Sequence, residues 1–218
     1  MIYEGKKKIW SDYQKEIPQD HYFFARSCIR QNFNPGAENV MLDIVRDKLG
    51  KDFYETKYHT TCGGIAYHSD VIPQETVMTI IARQFALMKE AGYENLVVSC
   101  VTSFGLYSEI LETWREFPEL EAKVKQHLWD ACKKEFDKPK FLVHSSDIMY
   151  NYRNLMAEQA KYSLINKKTG QPLKVVEHIG CHYVKMFPSK GVGGAEYYLC
   201  SLIMLALCLL VIWKDGFF

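Results

Sequence analysis

Apolar residues in this chain alternate between two spacings. Short aromatic or β-branched runs are separated by longer stretches in which apolar positions recur every three to four residues. His21–Arg26 (HYFFAR) is the first strand-like run. After Asn34-Pro35-Gly36, the spacing of Val40, Met41, Ile44, Val45 and Leu49 predicts a helix over 37–49, with Gly50 as its stop. A second, more polar strand is predicted over 52–59, ending at Thr60-Thr61-Cys62-Gly63-Gly64. Pro73 introduces a helix over 76–91, whose apolar face carries Val77, Ile80, Ile81, Ala86, Leu87 and Met88. Asn95–Ser99 is a compact strand, 106–136 a helix broken or bent near Pro118, and Phe141–Val143 a further strand. A turn at Lys168-Thr169-Gly170-Gln171-Pro172 precedes a last strand over 173–179. Such alternation predicts a layered α/β fold, a largely parallel sheet flanked by helices.

The placement of the cysteines sharpens this picture. Cys28, Cys62, Cys100 and Cys181 each fall at or just beyond the C-terminal end of a predicted strand. In an open parallel sheet those ends share one edge, where ligands bind. Cys132 lies within the helical stretch WDACKKEF and reads as structural. Seven cysteines, an odd number spread over 218 residues, argue against a disulfide framework. The N-terminal segment MIYEGKKKIWSDYQKE has no apolar signal core, so a reducing cytoplasm is the expected compartment. With 27 basic against 26 acidic residues, and Lys6-Lys7-Lys8 as the single short basic run, the chain lacks the charge surplus of a nucleic-acid binder.

Thiolates gathered from separate loops suit soft metals: zinc, copper(I) or an iron–sulfur cluster. A cysteine nucleophile at Cys100, on a strand-to-helix turn, is the competing chemistry. A phosphatase-type loop would need arginine where Leu106 stands. His178-Ile179-Gly180-Cys181-His182 concentrates three potential ligands, yet a strand end with one buried and one exposed histidine explains it equally well. Gly191-Val192-Gly193-Gly194 has neither the phosphate-loop ending nor the dinucleotide spacing.

Taken together, these residues resemble the cysteine-rich CCG domain of the B-type subunits of heterodisulfide reductase and their relatives. That pattern runs from a cysteine to a CCG triplet and then to a CxxC. Here Cys28 opens the unit, Thr61-Cys62-Gly63 stands at the triplet, and Cys100-Val101-Thr102-Ser103 stands at the CxxC. Ser27-Cys28-Ile29, Asn34-Pro35-Gly36-Ala37-Glu38 and Glu177-His178-Ile179-Gly180-Cys181-His182 also look familiar, the last as the opening of a second unit. The resemblance implies a first CCG-like α/β unit over 1–170, the start of an incomplete second unit over 171–196, and an apolar tail over 197–218.

What the resemblance implies is an oxidoreductase subunit that transfers electrons or reduces disulfides through a thiolate-bound iron–sulfur cluster. Cys28, Cys62 and Cys100 would be its metal ligands, with Cys181 a further cofactor-binding residue. Thr61 and Ser103 occupy two positions where the family has cysteine. A hydroxyl is a poor substitute for the soft thiolate, so a simpler cluster of the 4Fe–4S type or a variant of it is expected. The expected partners are the iron–sulfur and flavin subunits of a heterodisulfide reductase-like complex and a thiol or disulfide substrate. The alternative is a structural or zinc-binding interaction subunit with a degenerate site. Where a second triplet is due, the chain reads Trp213-Lys214-Asp215-Gly216-Phe217-Phe218, without cysteine. Tyr197–Trp213 is uncharged and, as a helix, about 26 Å long, against about 30 Å of membrane hydrocarbon. It reads as a C-terminal membrane anchor, a helix packed on the sheet, or the out-of-frame end of a longer gene.

Overall fold

A strand buried on both faces must be apolar at every position, and YFFA and NLVV come close to that demand. In the computed structural model, which describes residues 15–33, 35–158, 165–166 and 168–171, they form the two central strands of a parallel sheet. The strands are β1 (Tyr22–Ala25), β2 (Phe53–Tyr54), β3 (Asn95–Val98) and β4 (Phe141–His144), in the order β2-β1-β3-β4. Phe23 pairs with Leu96, Phe24 with Val97 and Ala25 with Val98, while Val98 pairs with His144 on the other side. The expected parallel α/β architecture is what the chain adopts.

Side chains alternate across this sheet and divide the core in two. Phe23, Ala25, Leu96 and Val98 face one layer, built from α4 (Gln74–Glu90), α5 (Val101–Glu116) and α6 (Pro118–Cys132). Tyr22, Phe24, Val97 and Val143 face the other layer, where α2 (Pro35–Asp43) runs into a π-helical turn (Ile44–Lys48). On this side α7 (Ser145–Asn151) contributes Ile148 and Met149. The remaining helices are short: α1 (Cys28–Phe33), α3 (Gly64–His68) and α8 (Arg153–Glu158).

Three local expectations are revised. The helix expected over 106–136 begins at Val101 and divides at Phe117, because Pro118 has no N–H to continue the first helix and instead starts the second. The strand expected over 52–59 shrinks to Phe53–Tyr54. Beyond it, Glu55 is drawn aside by Arg26 and Arg46, and the Thr60 N–H donates to the Gln84 side chain instead of a sheet ladder. Four helices too short to carry a periodic signature, α1, α3, α7 and α8, fill segments for which the pattern predicts none. The expected strand over 173–179, the second unit and the apolar tail lie outside the described residues, as does Cys181. Among the described residues, no helix is long and apolar enough to cross a membrane.

Candidate functional site

The strand order places a topological switch point between β1 and β3, since the chain leaves β1 toward β2 on one side and β3 toward β4 on the other. Crevices open at the carboxyl ends of strands at such a point. Cys28 and Cys100 flank it. Ala25 of β1 is followed by Arg26, the buried Ser27 and then Cys28, the first residue of α1. Val98 of β3 is followed by the buried Ser99 and then Cys100, whose extended backbone (φ −111°, ψ 125°) caps α5.

Cys62 arrives from the far side, at the end of the loop that follows β2. Two glycines bring it in. Gly63 holds φ at +73°, a left-handed conformation that side chains rarely adopt. A Cβ on Gly64 would lie 2.9 Å from Thr102 Cγ2 and 3.3 Å from Cys62 Sγ, so only glycine lets α3 approach the first turn of α5 this closely. The Gly64 N–H also donates to Cys62 Sγ at 3.4 Å.

The three thiols lie near enough to feel one another's charge. Burial pushes the Cys62 thiol up, and negative charge on Cys28 and Cys100 adds to the rise, against hydrogen bonds from the Ser103 hydroxyl and the Gly64 N–H. At Cys100 burial also acts upward, but the Ser103 N–H, the Ser27 and Ser103 hydroxyls and the Thr102 N–H outweigh it and hold the thiol below its ordinary range. The Ser103 hydroxyl therefore reaches both sulfurs from the position at which a CxxC would place a further thiol. Tyr107, wholly enclosed one helical turn beyond Ser103, has its phenol raised well above the usual value, first by burial and then by the charges of Cys62, Cys100 and Cys28.

These opposite shifts have a measurable consequence. The thiolate is the reactive form. In the reduced, metal-free chain, Cys100 should therefore be alkylated by iodoacetamide at lower pH than a free thiol, with Cys62 reacting last and only at higher pH. Peptide mass mapping after timed alkylation across a pH series checks this, and Cys62 reacting ahead of Cys100 would contradict the arrangement.

All the thiols described, Cys28, Cys62, Cys100 and Cys132, are free. Cys132 stands apart in the last turn of α6, where its sulfur meets the Leu128 carbonyl at 3.3 Å, in keeping with a structural role. Among the described residues, no group of three or more His, Cys, Asp or Glu is gathered tightly enough to hold a metal ion as it stands. His144 ends β4 on the same sheet edge, but its ring is used as a cap. Nδ1 accepts from the Ser146 N–H at 3.3 Å, and the ring meets Phe104 edge-on at 5.9 Å. A cavity of about 510 Å³ opens beside Cys28, bounded also by Arg26, Gln31, Lys57, His59 and Thr61.

Two buried polar residues away from the cysteines also shape the site. Gln84 is fully buried on α4, and its Oε1 accepts from the Thr60 N–H (3.2 Å) and hydroxyl (3.1 Å), anchoring the loop that delivers Cys62. That bonding turns the amide nitrogen toward His59 Nδ1 at 3.3 Å, and burial lowers the His59 pKa, which favours the neutral ring. Glu38 is fully buried on α2 behind the switch point. The available signal was, for Gln84, a polar residue interrupting an apolar helix face and, for Glu38, its place in the Asn34-Pro35-Gly36-Ala37-Glu38 segment that carries the resemblance.

The chain is 28% identical over 189 residues to the B subunit of the ferredoxin:CoB-CoM heterodisulfide reductase of Methanosarcina acetivorans. The match covers 84% of this chain and 58% of that protein, so the chain spans somewhat more than half of its relative's length. No protein-family model matches the chain.

Proposed function

We propose that the chain is an electron-transferring subunit of a heterodisulfide reductase-like complex, with Cys28, Cys62 and Cys100 as ligands of an iron–sulfur cluster. The observation that supports this reading is that thiols from three distant segments lie within reach of one another's charge, two of them flanking the sheet switch point and one of these held toward its thiolate form. The donor set is soft and partly screened from water, which is the chemistry such clusters require. The similarity to a protein named as a heterodisulfide reductase component adds further support.

When bound, the cluster supplies one-electron transfer. The chain's own residues set its surroundings. The Ser103 hydroxyl and the N–H groups of Thr102, Ser103 and Gly64 donate toward the sulfurs and favour the charged, reduced form. The cavity beside Cys28 gives a thiol or disulfide substrate, or an electron-carrying partner, a route to the site. Relay fits better than disulfide cleavage, because Thr61 and Ser103 stand at two ligand positions of the family pattern. In this reading iron–sulfur and flavin subunits are the electron partners, and Cys181 belongs to a second unit that this chain begins.

Iron and acid-labile sulfide content of anaerobically purified or reconstituted protein, with electron paramagnetic resonance on the same sample, tests the proposal. A brown protein with a cluster signal is expected. A folded chain that remains iron-free after reconstitution would reject it, and zinc at one per chain would favour the structural alternative.

A further inference from the structure

The carboxylate of Glu38 has no exposed surface. Burying such a charge is unfavourable unless donors surround it, and here donors converge from both sides of the switch point. Glu38 Oε1 accepts from the Ser27 N–H at 2.8 Å and from the Ser99 hydroxyl, while Oε2 accepts from the Gln31 side chain. Arg26 Nη1 stands 4.0 Å from Oε2 and supplies the opposing charge.

Ser27 immediately precedes Cys28, and Ser99 immediately precedes Cys100. One carboxylate oxygen thus ties together the two loops that carry two of the three thiols. The Ser27 hydroxyl then crosses from the β1 loop to the β3 loop and donates to the Cys100 sulfur. Strand pairing does not reach this far, since the ladder between β1 and β3 ends at Ala25 and Val98.

We infer that Glu38 is a positioning residue: a charged strut that fixes the relative placement of the Cys28 and Cys100 loops, acting through Ser27 and Ser99. It touches neither thiol. The inference rests on the proposed function only insofar as the thiols are taken to bind a metal together.

Cadmium titration of the reduced, metal-free chain, followed through thiolate-to-cadmium absorbance, tests the strut without requiring iron. Ser99→Ala removes one charge-assisted hydrogen bond and should weaken cadmium binding about tenfold. Glu38→Ala should weaken it further. Glu38→Gln keeps an oxygen in the Oε1 position and should recover most of the affinity. Leu128→Ala, buried on α6 outside the loops that carry the thiols, lowers stability by cavity formation and should bind cadmium as the wild type does.

Should Glu38→Ala fail to fold, Ser99→Ala and Glu38→Gln still decide the matter. Wild-type affinity in Ser99→Ala, an equal loss in Leu128→Ala, or a wild-type chain that binds no cadmium would each overturn the strut. A wild-type chain that binds cadmium with the expected variant pattern, yet takes up no iron and sulfide, would reject the cluster proposal and leave the strut standing.

Discussion

Phe85→Ala is expected to lower the unfolding free energy by about 3–5 kcal/mol, the range for removing an aromatic ring from a packed core. Phe85 is fully buried on α4 and meets three other rings: Tyr107 edge-on at 5.8 Å, Trp114 edge-on at 6.2 Å and Phe136 at 6.3 Å. Its removal costs both buried area and edge-to-face contacts. The neighbouring rings belong to α5 and to the segment after α6, and cannot all collapse into one void. Because Tyr107 is among them, the loss should also loosen the floor beneath the thiols. Urea unfolding with an unchanged m-value measures the effect. A shift under about 1 kcal/mol would mean that the ring cluster repacks, contrary to the behaviour of a close-packed interior.

The second large effect concerns metal. Under the proposed cluster ligation, Cys62→Ala is expected to reduce iron retention to background while leaving the chain folded. Cys62 brings a third sulfur close enough to Cys28 and Cys100 to feel their charge. Two thiolates and hydroxyls are a poor set for an iron–sulfur core. Cys132→Ala is the matched control, since that sulfur sits in a helix end and meets a backbone carbonyl. Iron per chain for both variants, after identical anaerobic reconstitution, makes the comparison. Equal retention in the two would remove Cys62 from the site.

Much of the fold was legible in the chain. The apolar runs at Tyr22–Ala25 and Asn95–Val98 are central strands, and the helix spacing around Val77, Ile81 and Met88 marks a face packed on the sheet. Cys28 and Cys100 could be placed at strand ends because both lie within three residues of a strong local pattern. The loop carrying Cys62 was harder to read. Its conformation depends on Arg26, Arg46 and Gln84, which come from other elements, and on the space that Gly64 leaves for Thr102.

Local pattern was enough to set the succession of elements, their buried faces and the placement of Cys28 and Cys100 at strand ends, because hydrophobic period is a property of neighbouring residues. That β3 returns beside β1 rather than β2, setting the Cys28 loop next to the Cys100 loop at the switch point, is a property of the assembled sheet. The tertiary structure also decided that Glu38 would meet Ser99, 61 positions away along the chain. Such pairings follow from burying both faces of one sheet at once, a condition on the whole chain that no local window of residues contains.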